Sequence, residues 1–241
     1  MLSEDEQERY IRQIMMIGED GQERLKQATI FIAGAGGLGS PIGLYLAAAG
    51  VGRLILADYD TVDLSNLNRQ VLHGTADLGR RKVDSARRKL EAINPEITIE
   101  TESVTIDDNN LPELVGDADG IVDAMDNFGT RYLLNRAALQ KEIPFFHGGI
   151  NGFSGQATTI VPGTTACLRC IFPHPPPQET FPVLGTTAGF IGVVQANEVL
   201  RYLLGRGELL TNRLLLWDGE RAKVDEIAVE QNPSCSDCGR R

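Results

Sequence analysis

Positive charge is in short supply in this sequence: across 241 residues, 23 Lys and Arg stand against 33 Asp and Glu, a formal net charge of −10. Binding along a nucleic-acid backbone or an anionic membrane needs a cationic surplus to displace counterions, so the balance counts against both and leaves room only for a local basic pocket. Long apolar runs are absent too. No stretch approaches the ~18 residues that span a bilayer, and the acidic opening MLSEDEQERY lacks the basic and apolar regions of a signal peptide. The expected location is therefore the cytoplasm. Cysteine is scarce, four residues in all, too few for a disulfide scaffold; in a reducing compartment, paired cysteines read as metal ligands or redox groups. Internal repeats, low-complexity tracts and long blocks of like charge are also missing, which predicts one continuous domain over 1–241.

What is present is an alternation of short apolar strands with amphipathic helices. Ser3 and Glu6 form a capping-box pattern, and Tyr10, Ile11, Ile14 and Met15 recur at helical spacing, which predicts a helix ended by Gly18 and Gly21. TIFIA (29–33) reads as a buried strand, then GAGGLGS as a glycine turn and Leu38 to about Ala49 as a helix. RLILAD (53–58), ITIETESV (97–104) and GIVDAM (120–125) are further strands, with helices over 82–94 and from Gly129 to about Lys141; IPFFHGG (143–149) begins the next strand. Such βαβ units imply an α/β fold with a mainly parallel, Rossmann-like sheet and helices on both faces. Beyond Phe145 the segments QATTIVP, LLLWD and VDEIAVE predict an antiparallel extension, with a helix from about Phe190 to Leu204. PHPPPQETFPVLG (173–185) is too rich in proline for helix and reads as an exposed crossover loop.

The glycine turn carries the first chemistry. Gly34, Gly36 and Gly39 make a GxGxxG pattern at a helix N-terminus, where backbone N–H groups can approach phosphate oxygens, and Asp58 at the end of the next strand suits a ribose hydroxyl. That pair fits NAD and ATP alike. The following DYDTVDLSNLNRQVLH adds Asn66, Arg69 and Gln70, with Lys82 beyond; two cations near one helix N-terminus suit a triphosphate that leaves as pyrophosphate, against the alternative of solvated surface charges. Asp123, Asp126, Asn127 and Arg131 lie at the C-terminal end of a parallel strand, where open α/β sheets place ligands. Asp126 could hold Mg²⁺ there, whereas Asp126-Asn127 as a plain helix N-cap is the competing reading. Cys167 and Cys170 form CLRC, and Cys235 and Cys238 form CSDC. Two such pairs predict a tetrahedral Cys₄ zinc site, with a redox dithiol as the alternative for either pair alone. His73, His147 and His174 receive no role.

ERYIRQ, GAGGLGS, DYDTVDLSNLNRQ, KVDSA, DNFGTR and the two cysteine pairs, in this order from about Glu8 to Cys238, resemble the bacterial and archaeal MoeB/ThiF/HesA adenylyltransferases, relatives of ubiquitin-activating enzymes. The resemblance implies adenylation, with MgATP, of the C-terminal Gly-Gly carboxylate of a small ubiquitin-like sulfur-carrier protein. Carried onto this chain, Gly37 and Asp58 hold the nucleotide; Ser65, Asn66, Leu67, Asn68, Arg69 and Lys82 contact ribose and phosphates; Asp126 organises Mg²⁺ beside Asn127. Arg12 would reach the ATP of the other subunit of a homodimer, and Zn²⁺ would pin the C-terminus to the domain. An N-terminal helical segment of about 1–27 and a C-terminal antiparallel, zinc-bearing portion of about 153–241 flank the core. Many relatives carry a further cysteine in the crossover loop in a Thr-Cys context, where this sequence has Thr180-Phe181. With four cysteines committed to zinc, sulfur would come from a separate donor. Three other functions compete: a tRNA-modifying dehydratase of the same superfamily, an NAD(P)-dependent oxidoreductase, and a non-catalytic carrier-binding scaffold. Net charge and the zinc cysteines weigh against the first, the SNLNRQ cluster and Lys82 against the second, and the retained cations against the third.

Overall fold

The computed structural model describes residues 1–176 and 182–239. Helices α1 (Glu4–Arg9) and α2 (Ile11–Gln27) open the chain. Ser3 caps α1 as the sequence predicts, its hydroxyl accepting from the Glu6 N–H while the Glu6 carboxylate accepts from the Ser3 N–H. The helical backbone breaks at Gly18, as the sequence predicts. Gly18 takes φ 75°, ψ 169°, a conformation open to glycine, and makes a kink past which α2 runs on to Gln27. Gly21, the other predicted stop, is no terminus: it lies inside the helical stretch beyond the kink and packs against Leu204, where a Cβ would come within 3.3 Å of that side chain.

Strands β1 (Thr29–Ala33), β2 (Arg53–Ala57), β3 (Thr98–Glu102), β4 (Gly120–Asp123) and β5 (Phe145–Asn151) form the parallel part of one sheet, and β6 (Ser154–Ile160), β7 (Arg213–Asp218) and β8 (Lys223–Ala228) extend it antiparallel. The order across its eight strands is β3-β2-β1-β4-β5-β6-β7-β8. The chain leaves β1 toward one side of the sheet and β4 takes the other, so a crevice opens above the carboxyl ends of β1 and β4.

Period-two alternation divides β1 between two cores. Ile30 and Ile32 face a cluster with Leu54, Leu56, Val122 and Phe146, while Phe31 and Ala33 face another with Ile55, Ile121 and Phe145. Helices α3 (Gly39–Ala49), α4 (Lys82–Ile93) and α8 (Gly185–Leu204) cover the first face; α5 (Leu111–Val115), α6 (Phe128–Lys141) and α7 (Leu168–Ile171) cover the second. Each large apolar side chain so buried contributes roughly 1.5–3 kcal/mol.

Helix α8 begins at Gly185, five residues before the predicted start. Its first turn, GTTAG, has weak helix propensity, but it is held by the fold: Thr187 donates to the Gly152 carbonyl at 3.0 Å. Gly185 also packs so closely that a Cβ would lie 2.5 Å from the Asn68 carbonyl. The proline-rich loop is therefore shorter than 173–185. No helix among the described residues is long and apolar enough to cross a membrane.

Candidate active site and cysteine corner

The glycine turn is shaped by two contacts. Gly34 adopts φ +103° with its Cα against Ala124, where a Cβ would sit 2.8 Å from the Ala124 carbonyl oxygen, and a Cβ on Gly39 would come 2.0 Å from the Gly34 carbonyl oxygen. Between them, Ala35 is held on both sides: its N–H donates to Asp58 Oδ2 at 2.8 Å, and its carbonyl lies 2.9 Å from His73 Nε2. A carbonyl only accepts, so Nε2 carries the proton and Nδ1 accepts from the Ser85 hydroxyl at 2.9 Å. Burial holds the His73 pKa below its ordinary value, which keeps this neutral form.

Asp58 thus has one oxygen on the turn; the other accepts the Asp60 N–H at 2.9 Å. Asp60 pairs with Lys82, whose buried ammonium lies 2.7 Å from Oδ2. Arg69 also reaches the turn, its Cγ 3.8 Å from the position a Cβ on Gly37 would take, and its guanidinium donates to the Ser65 carbonyl at 2.9 Å and the Asn68 side chain at 3.1 Å. The Ser65–Asn68 segment is built on a short 3₁₀ turn that Asp63 caps by accepting from Ser65 N–H. The fold thus brings Asp58 and Arg69 to the glycine turn at Ala35 and Gly37, with the Ser65, Asn66, Leu67 and Asn68 segment joined to it through Arg69 and Lys82 joined through Asp60.

Asn127 caps α6, accepting the Thr130 N–H at 2.9 Å, so the plain N-cap reading holds for it; Asp126 beside it is exposed. Two cavities meet there, because Asn127 lines both. The smaller, about 360 Å³, is walled by Asp58, Tyr59, Ile106 and Met125. The larger, about 1100 Å³, is walled by Asp126, Arg131, Gln156, His174 and Trp217. Trp217 on its wall is held by stacking on Phe190, ring centroids 4.2 Å apart. Tyr59 stands 60% exposed at the rim of the smaller cavity, and the Asp60 carboxylate raises its pKa. Arg12 lies elsewhere, on an exposed face of α2, and makes no hydrogen bond or ion pair among the described residues.

Sequence reasoning missed His147 and Gln156. His147 is fully buried, bonded to Asp123, and 3.2 Å from Gln156 at the wall of the larger cavity. The histidine of IPFFHGG is visible in the sequence, but its partner on another strand is fixed only by register.

The four cysteines converge as their spacing predicts. Their sulfurs all lie within 4.8 Å of one another, with Cys167–Cys170 at 3.9 Å, Cys167–Cys235 at 3.6 Å and Cys170–Cys238 at 3.4 Å. A tetrahedral thiolate site with ~2.3 Å bonds has sulfur–sulfur edges near 3.8 Å, so the group fits a metal of that class. Burial pushes the Cys167 thiol up, which without a metal opposes four thiolates together. The surroundings are bonded: the Asn232 N–H donates to Cys170 Sγ at 3.3 Å, and Asp237 bridges Asn135 and Arg169. Thr180-Phe181 lies outside the described residues.

A model of the ThiF family matches residues 10–237. The chain is 43% identical over 240 residues to the SAMP-activating enzyme E1 of Haloferax volcanii, covering 96% of this chain and 88% of that one. It is 41% identical over 250 residues to the sulfur carrier protein adenylyltransferase of Thermus thermophilus, covering 98% and 92%. The crystal structure of E. coli MccB with ATP matches with a TM-score of 0.87 at 25% identity, covering 96% of this chain and 75% of that one.

Proposed function

The chain belongs to the ThiF family, and from that premise we propose that it adenylates the C-terminal Gly-Gly carboxylate of a small ubiquitin-like sulfur-carrier protein. What supports this reading is the placement of Arg69 against Gly37 and of Lys82 on Asp60, whose N–H is held by Asp58, so that two cations serve one glycine turn and its ribose acid. The names of the Haloferax and Thermus relatives support it over the dehydratase and NAD(P) readings.

A carboxylate attacking the α-phosphate of ATP brings two anions together. One carboxylate oxygen forms a bond to the α-phosphorus while the bridging oxygen departs with its electron pair as pyrophosphate; no proton moves, so no base is needed. Catalysis then rests on charge neutralisation and alignment. In this reading Gly37 and the glycine turn receive the phosphates, Asp58 holds the ribose, and Ser65, Asn66, Leu67 and Asn68 enclose sugar and phosphate. Arg69 and Lys82 offset charge on the departing pyrophosphate, Lys82 turning from Asp60 toward it. Asp126, exposed next to Asn127, offers the carboxylate for Mg²⁺, which when bound supplies further positive charge.

Arg12 enters the site of a second copy. Ile11, Met15 and Met16 are 57%, 76% and 70% exposed on the same α2 face, an apolar surface suited to a homodimer contact. Zn²⁺ in the cysteine corner is structural, since a closed Cys₄ site has no open position for substrate. All four cysteines being there, a separate donor supplies sulfur, and the enzyme forms no covalent link to the carrier. The whole of 1–241 acts as one adenylation domain in a reducing cytoplasm.

ATP–pyrophosphate exchange with and without a Gly-Gly-ending carrier tests the reading. Exchange that requires the carrier and its last two glycines is expected. Bound MgATP with no exchange, or tight NAD binding in its place, overturns it.

A further inference from the structure

A buried polar chain outside the nucleotide-holding residues leads into the larger cavity. Asp123, the last residue of β4, and His147 on β5 are both 0% exposed, with Asp123 Oδ2 2.7 Å from His147 Nδ1. Arg131 Nε lies 3.3 Å from the same carboxylate oxygen, and its guanidinium also donates to the Met125 and Gly148 carbonyls. A carboxylate oxygen 2.7 Å from Nδ1 accepts, so Nδ1 carries the imidazole proton. Burial and the Arg131 charge lower the His147 pKa, and Nε2 presents a lone pair. Gln156 Nε2, 3.2 Å away, is therefore the donor.

This ordering fixes the Gln156 amide. Its nitrogen is committed to His147, and its oxygen is what the side chain offers to the cavity it lines. The strand register makes room for the link: Gln156 pairs with Gly149, two residues along β5 from His147 and on the same face. A Cβ at Gly149 would stand 3.2 Å from Gln156 Nε2 and 3.6 Å from Arg131 Nη1, so the missing side chain leaves the path from Gln156 to His147 open.

A Gly-Gly terminus has no side chains; apart from its carboxylate it shows the protein only backbone N–H and C=O groups. An acceptor with a fixed direction on the cavity wall answers one of those N–H groups. We propose that Gln156 Oε1 accepts an N–H of the carrier's last two residues, with His147 and Asp123 as positioning residues that keep the amide from flipping. The inference rests on the adenylation reading above.

The test pairs enzyme and substrate changes in pyrophosphate exchange, using a semisynthetic ubiquitin-fold carrier in which the amide of either terminal glycine is replaced by an ester, removing one N–H. Gln156→Leu, at a partly exposed site, should raise KM for the carrier about fivefold while kcat and MgATP affinity hold. One of the two esters should cost the wild type about the same factor and cost Gln156→Leu nothing further. His147→Asn keeps a donor for Asp123 but is too short to reach Gln156; it should raise KM, with no additional rise when combined with Gln156→Leu. Equal ester sensitivity in wild type and Gln156→Leu, or additive effects of the two substitutions, overturns the proposal. Wild-type protein that binds MgATP yet shows no exchange overturns it together with the adenylation reading.

Discussion

The glycine-turn cleft and the cysteine corner sit on the same sheet but are built on opposite plans. The cleft draws its groups from segments spread over residues 34 to 131, and leaves many of them exposed or half-buried, with Lys82 and Asp60 paired at 2.7 Å. The corner closes four sulfurs within 4.8 Å and surrounds them with Asn232, Asp237, Asn135 and Arg169. A site that must take up one anion and release another has to stay open and keep its cations movable. A site that only joins two chain segments gains from being shut.

If that division is right, stability and activity should separate by region. The largest effect is expected at the corner: chelation, or Cys235→Ser, should cost more than about 4 kcal/mol of stability, read from urea unfolding, while exchange per folded molecule stays near wild type. Exchange that fails with the fold still intact would erase the division. Next come Arg69→Ala and Lys82→Ala, each expected to slow exchange by about 10²–10³-fold, or ~2.7–4 kcal/mol, with thermal melting unchanged. Near-normal exchange in either folded variant would take that residue out of the chemistry.

A smaller loss is expected for Asp58→Ala, which removes a charged acceptor and should weaken ATP binding by about 1.5–3 kcal/mol in a calorimetric titration. The smallest effect sharpens the comparison through pH. Burial lowers the pKa of His73 in the folded protein, so the unfolded chain binds its proton first as acid is added. The stability this supplies is complete above the unfolded value of about 6.5 and declines as pH falls below it, by at most ~1.4 kcal/mol per pH unit. Urea midpoints at pH 7.5 and 5.5 should drop more in wild type than in His73→Asn; parallel drops would remove His73 from the acid response.

Much of the cleft is legible in the sequence because its parts are local. GAGGLGS between a strand and a helix already demands a tight turn, and Asp58 follows at the end of the next strand, so Gly34, Asp58 and the SNLNR segment fall together once parallel pairing is assumed. The CLRC and CSDC pairs announce a corner for the same reason. Local rules fail where a distant surface overrides them. Gly21 reads as a stop, yet it lies inside the helical stretch that follows the Gly18 kink, seated against Leu204 of α8. GTTAG reads as a loop, yet Gly152 and the Asn68–Arg69 backbone hold it as the first turn of α8.

The sequence by itself determined the strand–helix alternation, the glycine turn and the paired cysteines, since each depends on periodicity or spacing within a few residues. Only the tertiary structure decided that Lys82 pairs with Asp60, that Arg12 stands apart on an exposed helix face, and that Asp123, His147 and Gln156 form one chain. Those contacts join elements by sheet order and strand register, and a shift of one residue in β6 would turn Gln156 to the other face.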